Sequence, residues 1–334
     1  MKLGTSLRFL YPTGPDTYRT FKGMLDALPP SGFIERPMGS FDTGEQAQNV
    51  LEIAELASEA GLSALLFGDH HAVPATYANS LSPIPTIGRI MAVTGDMPLG
   101  VVVLAPFYEP VVLAEQIATL AAFATAPLVV VLVNGGNSRT FSAFGIDVST
   151  RVRRLEELAV VLRQLLAGEI VSFEGEFTHL DEVSISPIPR VPVEIWIGGT
   201  VPAVAERAGR LGEGWLSGQN TPDDDAVHQL GIYRKGAAAH GRHTRAVLRR
   251  DIHVADTNQA AHDEVDRILA EGYRAGSKDA LLVGSPDSIV ERLYHYRALG
   301  FEEVMVRHIS GDHQLIIRSM QLIGEHVIPA IADL

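Results

Sequence analysis

One cluster of ionisable residues stands out by placement. Gly68-Asp69-His70-His71 directly follows the apolar run Leu62-Ser63-Ala64-Leu65-Leu66-Phe67. A run of that length reads as a buried strand. The C-terminal end of a parallel strand is where α/β folds put their chemistry. Imidazoles titrate near neutral pH, so His70 and His71 suit proton transfer. The plainer alternative is a polar loop that opens the next helix. A metal site is not expected, because adjacent histidines rarely share an ion and further ligands would be needed, with only His308 and Asp312-His313 on offer. A Ser-His-Asp hydrolase is not expected either, since no G-x-S-x-G elbow occurs. The chain has no cysteine. That excludes disulfides, thiolate metal sites, iron–sulfur clusters and a Cys nucleophile.

Two glycine clusters could serve a ligand. Gly198-Gly199-Thr200-Val201-Pro202 reads as strand, close-approach glycines and helix start. Backbone N–H groups there would bind a phosphate, or the segment is only a tight turn. Asn134-Gly135-Gly136-Asn137 has the same two readings, with a flat ligand in place of phosphate. No Walker-type or G-x-G-x-x-G pattern is present. Trp196 and Trp215 read as core, with Trp196 near enough to the mouth to line a flat pocket.

These clusters need elements to hold them. Apolar runs at 2–9, 62–67, 99–104, 128–133, 193–197, 214–217, 247–254 and 303–308 read as strands. Amphipathic stretches between them read as helices: 43–60 carries Val50, Ile53, Ala54 and Ala57 at helical spacing. Eight strands alternating with helices predict a (β/α)8 TIM barrel with insertions, a doubly wound sheet being the alternative. One barrel domain is expected over 1–334. The excess length falls in a loop at about 11–41 and in a segment at about 168–192 that carries short extra strands.

Of 334 residues, 46% are hydrophobic and the net charge is −13. That supports a large core and makes nucleic acid a poor partner. No stretch is long and apolar enough for a membrane span, and the N-terminus reads as a strand instead of a signal peptide. A cytoplasmic protein is expected.

The motifs, in order, resemble the bacterial luciferase-like family of flavin and deazaflavin oxidoreductases. The resemblance runs through Gly68-Asp69-His70-His71, Leu99 to Leu120 with its Pro-Val-Val-Leu-Ala-Glu-Gln helix, Asn134 to Gly145 with Arg151 and Glu156-Glu157, and Trp196-Ile197-Gly198-Gly199-Thr200 on to Gly214-Trp215. It implies reduced FMN (FMNH2) or F420 at the barrel mouth and a likeness to enzymes that act on a small-molecule substrate. FMN members use O2 and take reduced flavin from a separate flavin reductase; F420 members transfer hydride. Carried over, His70 and His71 are the catalytic residues. Ala105, Asn134, Gly135, Gly198, Gly199 and Thr200 hold the cofactor. The chain departs from the family at Val112, where many members carry a phosphate-pairing Arg, at Leu120-Ala121 and at Thr125-Ala126-Pro127. Arg139 is the expected substitute for the missing Arg. The leading expectation is an FMN-dependent monooxygenase. The alternatives are an F420-dependent hydride-transfer enzyme and a non-catalytic subunit paired with an active paralogue. A homodimer is expected. Specificity is expected in the 11–41 and 72–85 loops and the 168–192 segment.

Overall fold

The computed structural model describes residues 1–7, 42–72, 81–243, 245–270 and 277–332. The expected 11–41 loop, Arg8 and Phe9, and most of the 72–85 loop lie outside the described residues. Eleven strands are present among the described residues. They are β1 (Lys2–Leu7), β2 (Leu65–Phe67), β3 (Leu99–Leu104), β4 (Leu128–Val133), β5 (Val171–Glu174), β6 (His179–Val183), β7 (Val193–Gly199), β8 (Gly214–Ser217), β9 (Ala246–Val254), β10 (Leu282–Gly284) and β11 (Glu303–His308). Eight of them close in parallel in the order β1-β2-β3-β4-β7-β8-β9-β11, with β11 back on β1. This is the expected TIM barrel, and its eight strands fall where the apolar runs do.

The closed parallel sheet explains the continuous apolar runs, since both faces are covered. Leu66, Val129, Val131, Trp196, Leu216, Val247 and Met305 fill the interior. Two glycines make room for them. A Cβ on Gly100 would lie 2.5 Å from Leu66 Cδ2, and one on Gly4 would lie 2.8 Å from Met305 Cε. Trp196 is wholly buried in this interior and does not reach the mouth. Alternate residues such as Val130, Leu132, Val304 and Val306 face outward and pack under the helices.

Those helices are α1 (Thr43–Glu59), α2 (Pro83–Met91), α3 (Pro110–Phe123), α4 (Ser138–Ala143), α5 (Arg151–Leu166), α6 (Pro202–Leu211), α7 (Asp223–Ala239), α8 (Asn258–Ala270), α9 (Pro286–Ala298) and α10 (His313–Leu322). α1 buries the four residues its spacing marks, and Asp42 caps it by accepting from Gly44 and Glu45 N–H. α3 starts on Pro110 with Glu109 accepting from Val112 N–H. β5 and β6 form an antiparallel hairpin inside the 168–192 segment. Glu176 and Phe177 form its turn. Their N–H groups, with that of Thr178, donate to the Glu157 carboxylate at 2.7–3.0 Å, which replaces ladder partners. β10 has no counterpart among the expected strands; three residues are too few to show a period.

Candidate active site

All eight barrel strands send at least one residue to a single cavity of about 530 Å³ at their C-terminal ends. That volume suits a small organic ligand or cofactor. Leu7, Leu66, Val102, Leu104 and Leu216 give it an apolar lining. Asp69, His70, Asn134, Arg151, Arg249 and Arg307 give it polar groups.

The segment after β2 divides between two environments. Asp69 and His70 line the cavity; His71 does not. The His71 ring packs 5.4–5.6 Å from the rings of Phe107, Tyr108 and Phe144, and its Nε2 lies 3.0 Å from Asp69 Oδ2. That same oxygen accepts from Leu104 N–H and the Tyr108 hydroxyl, each at 3.0 Å. Asp69 thereby ties the loop after β2 to the loop after β3. Its Oδ1 is buried without a partner among the described residues. Burial, then the charge of Asp69 and the hydrogen bond to it, push the Tyr108 phenol far above its ordinary range. Tyr108 is therefore a neutral donor.

The segment after β7 lies three strands further round the barrel. Gly198, Gly199 and Thr200 line the cavity, and α6 begins two residues later with Pro202 in its first turn and no side-chain cap at Val201. Pro202 has no N–H and Val204 N–H donates to Val201 O at 2.8 Å, so Ala203 N–H is the donor of the first turn left for a ligand, at a helix end suited to an anion. A Cβ on Gly198 would press on Val133 Cγ1 at 3.0 Å, so the close packing of β7 on β4 requires glycine there. Arg151, the first residue of α5, also lines the cavity. Its Nη1 donates to Val148 O at 2.8 Å, and it has no carboxylate partner among the described residues. Gly135 turns the chain after β4 at φ +65°, and the neighbouring Asn134 Oδ1 is buried without a partner among the described residues.

The structure thus brings His70, Asn134, Gly135, Gly198, Gly199 and Thr200 to one cavity. It does not bring His71, Ala105 or Arg139 there. Ala105 lines a separate cavity of about 480 Å³ beside Tyr108 and the β5–β6 hairpin. Val112 is half exposed on the first turn of α3, away from the mouth. Arg151, which lines the same cavity as the glycines, stands in the matched Asn134–Glu157 segment but carries no local signal of its role.

Two further arginines come from β9 and β11. Arg307 pairs with Asp251 at 2.9 Å, and Asp251 is wholly buried and accepts from Gln219 and Asn220 side-chain amides at 2.5 and 2.8 Å. Neither Arg249 nor Asp251 is marked by its sequence context. His308 points outward to Ser319 at 3.1 Å, and burial drives its pKa down to about 3. Among the described residues no group of three or more His, Asp or Glu is placed to hold a metal ion. No helix of the described residues is long and apolar enough to cross a membrane.

The barrel, its mouth cavity and the ordered motifs agree with the family comparison. The model of the luciferase-like monooxygenases matches residues 33–303. The chain belongs to this family. Its relatives divide by cofactor. It is 26% identical over 316 residues to an F420-dependent glucose-6-phosphate dehydrogenase of Microbacterium testaceum, covering 84% of this chain and 93% of the relative. It is 24% identical over 283 residues to an FMNH2-dependent dimethylsulfone monooxygenase of Pseudomonas fluorescens, covering 73% and 76%. Among solved structures, monooxygenase RslO1 from Streptomyces bottropensis superposes with a TM-score of 0.80 at 24% identity, covering 98% of this chain and 99% of that one. At that identity the likeness is one of fold.

Proposed function

We propose that this luciferase-like chain is an oxidoreductase that seats a phosphorylated flavin or deazaflavin in the mouth cavity. One observation carries the reading. A guanidinium without a carboxylate partner, Arg151, shares a cavity with the Gly198-Gly199-Thr200 segment and the open start of α6, while Asp69 and His70 line the same cavity from β2. The first group of residues fits a phosphate, through backbone N–H groups and one charged donor. Leu66, Val102, Leu104 and Leu216 fit the face of a ring, and Asn134 Oδ1 can accept from a ring N–H. When bound and reduced, such a ring supplies a hydride or, with O2, an oxygenating equivalent. His70 then takes or gives the proton that either reaction needs. Asp69 fixes the backbone that carries His70, through its bonds to Leu104 and Tyr108. The apolar walls exclude water from the reacting face.

Two forms of this reading each have support. Monooxygenation with FMNH2, supplied by a flavin reductase, is favoured by the dimethylsulfone monooxygenase relative. Hydride transfer with F420 is favoured by the sugar-phosphate dehydrogenase relative. Anaerobic titration with reduced FMN and, separately, with F420 tests both. Tight binding of one ligand assigns the form. Binding of neither overturns the proposal and returns the chain to a non-catalytic subunit.

A further inference from the structure

The opposite end of the barrel holds a basin of about 600 Å³, outside the mouth and unused by the reading above. Its walls are the starts of β1, β9 and β11 and the flanks of α7 and α9. Four cations line it, Lys2, Arg234, Arg245 and Arg297, against two carboxylates, Glu302 and Glu303. The lining side chains therefore carry a net +2, to which the α-amino group of Met1 adds, within a chain of net −13.

The back wall is a closed network. Arg245 bridges Glu303 at 3.0 Å and Glu194 at 2.8 Å, and its guanidinium lies 4.6 Å from the centre of the Trp196 ring. The front is different. Arg234 spends one Nη2 bond on the Gly300 carbonyl at 2.8 Å. Lys2, Arg234 and Arg297 have no carboxylate partner among the described residues. Gly300 sits at φ +102°, in the left-handed region that favours glycine, and this turn aims its carbonyl at Arg234. Arg297 does have a plainer role as a cation in the last turn of α9, where it favours the helix dipole. That role explains neither Lys2 nor Arg234.

We propose that this basin is a second anion site, which takes a phosphoryl dianion, free or as a monoester. Three donors on separate elements match a tetrahedral anion with several acceptor oxygens, and its negative charge complements the net positive lining. The floor of a barrel is remote from chemistry, so the ligand acts on stability or assembly and leaves turnover unchanged.

The test is calorimetric titration of the full chain with inorganic phosphate, and in parallel with glycerol 1-phosphate to separate the free anion from an ester. Wild type shows two sites. The double variant Arg234→Gln/Arg297→Gln loses one of them, with each guanidinium worth about tenfold or more in affinity. Arg151→Gln loses the other. Melting midpoints confirm that both variants are folded, and Arg297→Lys retains the floor site in weakened form. A single site lost only in Arg151→Gln, or binding unchanged in the double variant, overturns the floor site. A single site lost only in the double variant supports it and counts instead against the phosphate cradle at the mouth.

Discussion

The two walls of the mouth are built from different materials. The wall after β2 is made of side chains: Asp69 anchors, His70 faces the cavity, and His71 is turned into a box of Phe107, Tyr108 and Phe144. The wall after β7 is made mainly of backbone, two glycines and a helix start without a side-chain cap, and Arg151 of α5 lines the same cavity. A side-chain wall can be tuned residue by residue. A backbone wall can only be blocked or deprived of its neighbour. Proton chemistry needs the first kind, and a fixed anion seat is well served by the second.

Substitutions sharpen this contrast in order of expected size. His70→Ala should lower kcat by about 100- to 10,000-fold, the usual worth of a positioned acid or base, with the melting midpoint little changed. Undiminished turnover would remove His70 from the chemistry. Arg151→Gln should weaken cofactor binding by about 10-fold or more, since a charged hydrogen bond is worth roughly 1.5–3 kcal/mol, while kcat at saturation holds. A fall in kcat alone would move Arg151 from the anion wall to the proton wall. His71→Phe, which keeps the aromatic box, should change kcat by less than about 3-fold, an effect under roughly 0.7 kcal/mol. A loss as large as that of His70→Ala would mean that His71 acts on the cavity through Asp69.

The remaining effect belongs to the outer layer and falls on stability, not on turnover. His308 is neutral when folded because its pKa is held at about 3, against an unfolded value near 6.5. The unfolded chain binds the extra proton below that higher value. Stability is therefore whole above about pH 6.5 and falls on acidification towards pH 3, by at most about 1.4 kcal/mol per pH unit. His253, also lowered by burial, slopes the same way. Urea unfolding of His308→Gln across this range should show a shallower pH dependence than wild type. An unchanged slope would assign the effect elsewhere.

Much of this was legible in the chain. Continuous Val and Leu runs mark a strand covered on both faces, so the barrel strands could be placed from apolar length alone. The polar residues at their ends could be read as a mouth. What sequence did not reveal was direction. His70 and His71 are neighbours of one type, and only the alternation of side chains past β2, with Asp69 receiving His71, sends them apart. Val112 takes the motif position of a phosphate-pairing Arg, and Arg139 is its expected substitute from the neighbouring loop. Val112 lies on a half-exposed turn of α3 and Arg139 on the short α4, whereas Arg151 reaches the cavity because α5 begins at its rim. The pairing of Asp251 with Arg307 joins residues 56 positions apart, so it has no local signature.

Glu157 gives the β5–β6 hairpin a property that a ladder would not. Its carboxylate occupies the space that a Cβ on Gly175 would take, with Oε2 only 2.5 Å from that point. A side chain at 175 therefore needs both Glu157 and the Phe173 ring to give way, and a shorter residue at 157 strips three amides of their acceptor. In amide hydrogen exchange, the N–H groups of residues 176–178 should lose protection together in Glu157→Ala while the barrel strands keep theirs. Glu157 thus joins the hairpin turn to α5, beside the Arg153–Glu176 ion pair at 2.7 Å and the Arg154 guanidinium 4.0 Å from the centre of the Phe177 ring.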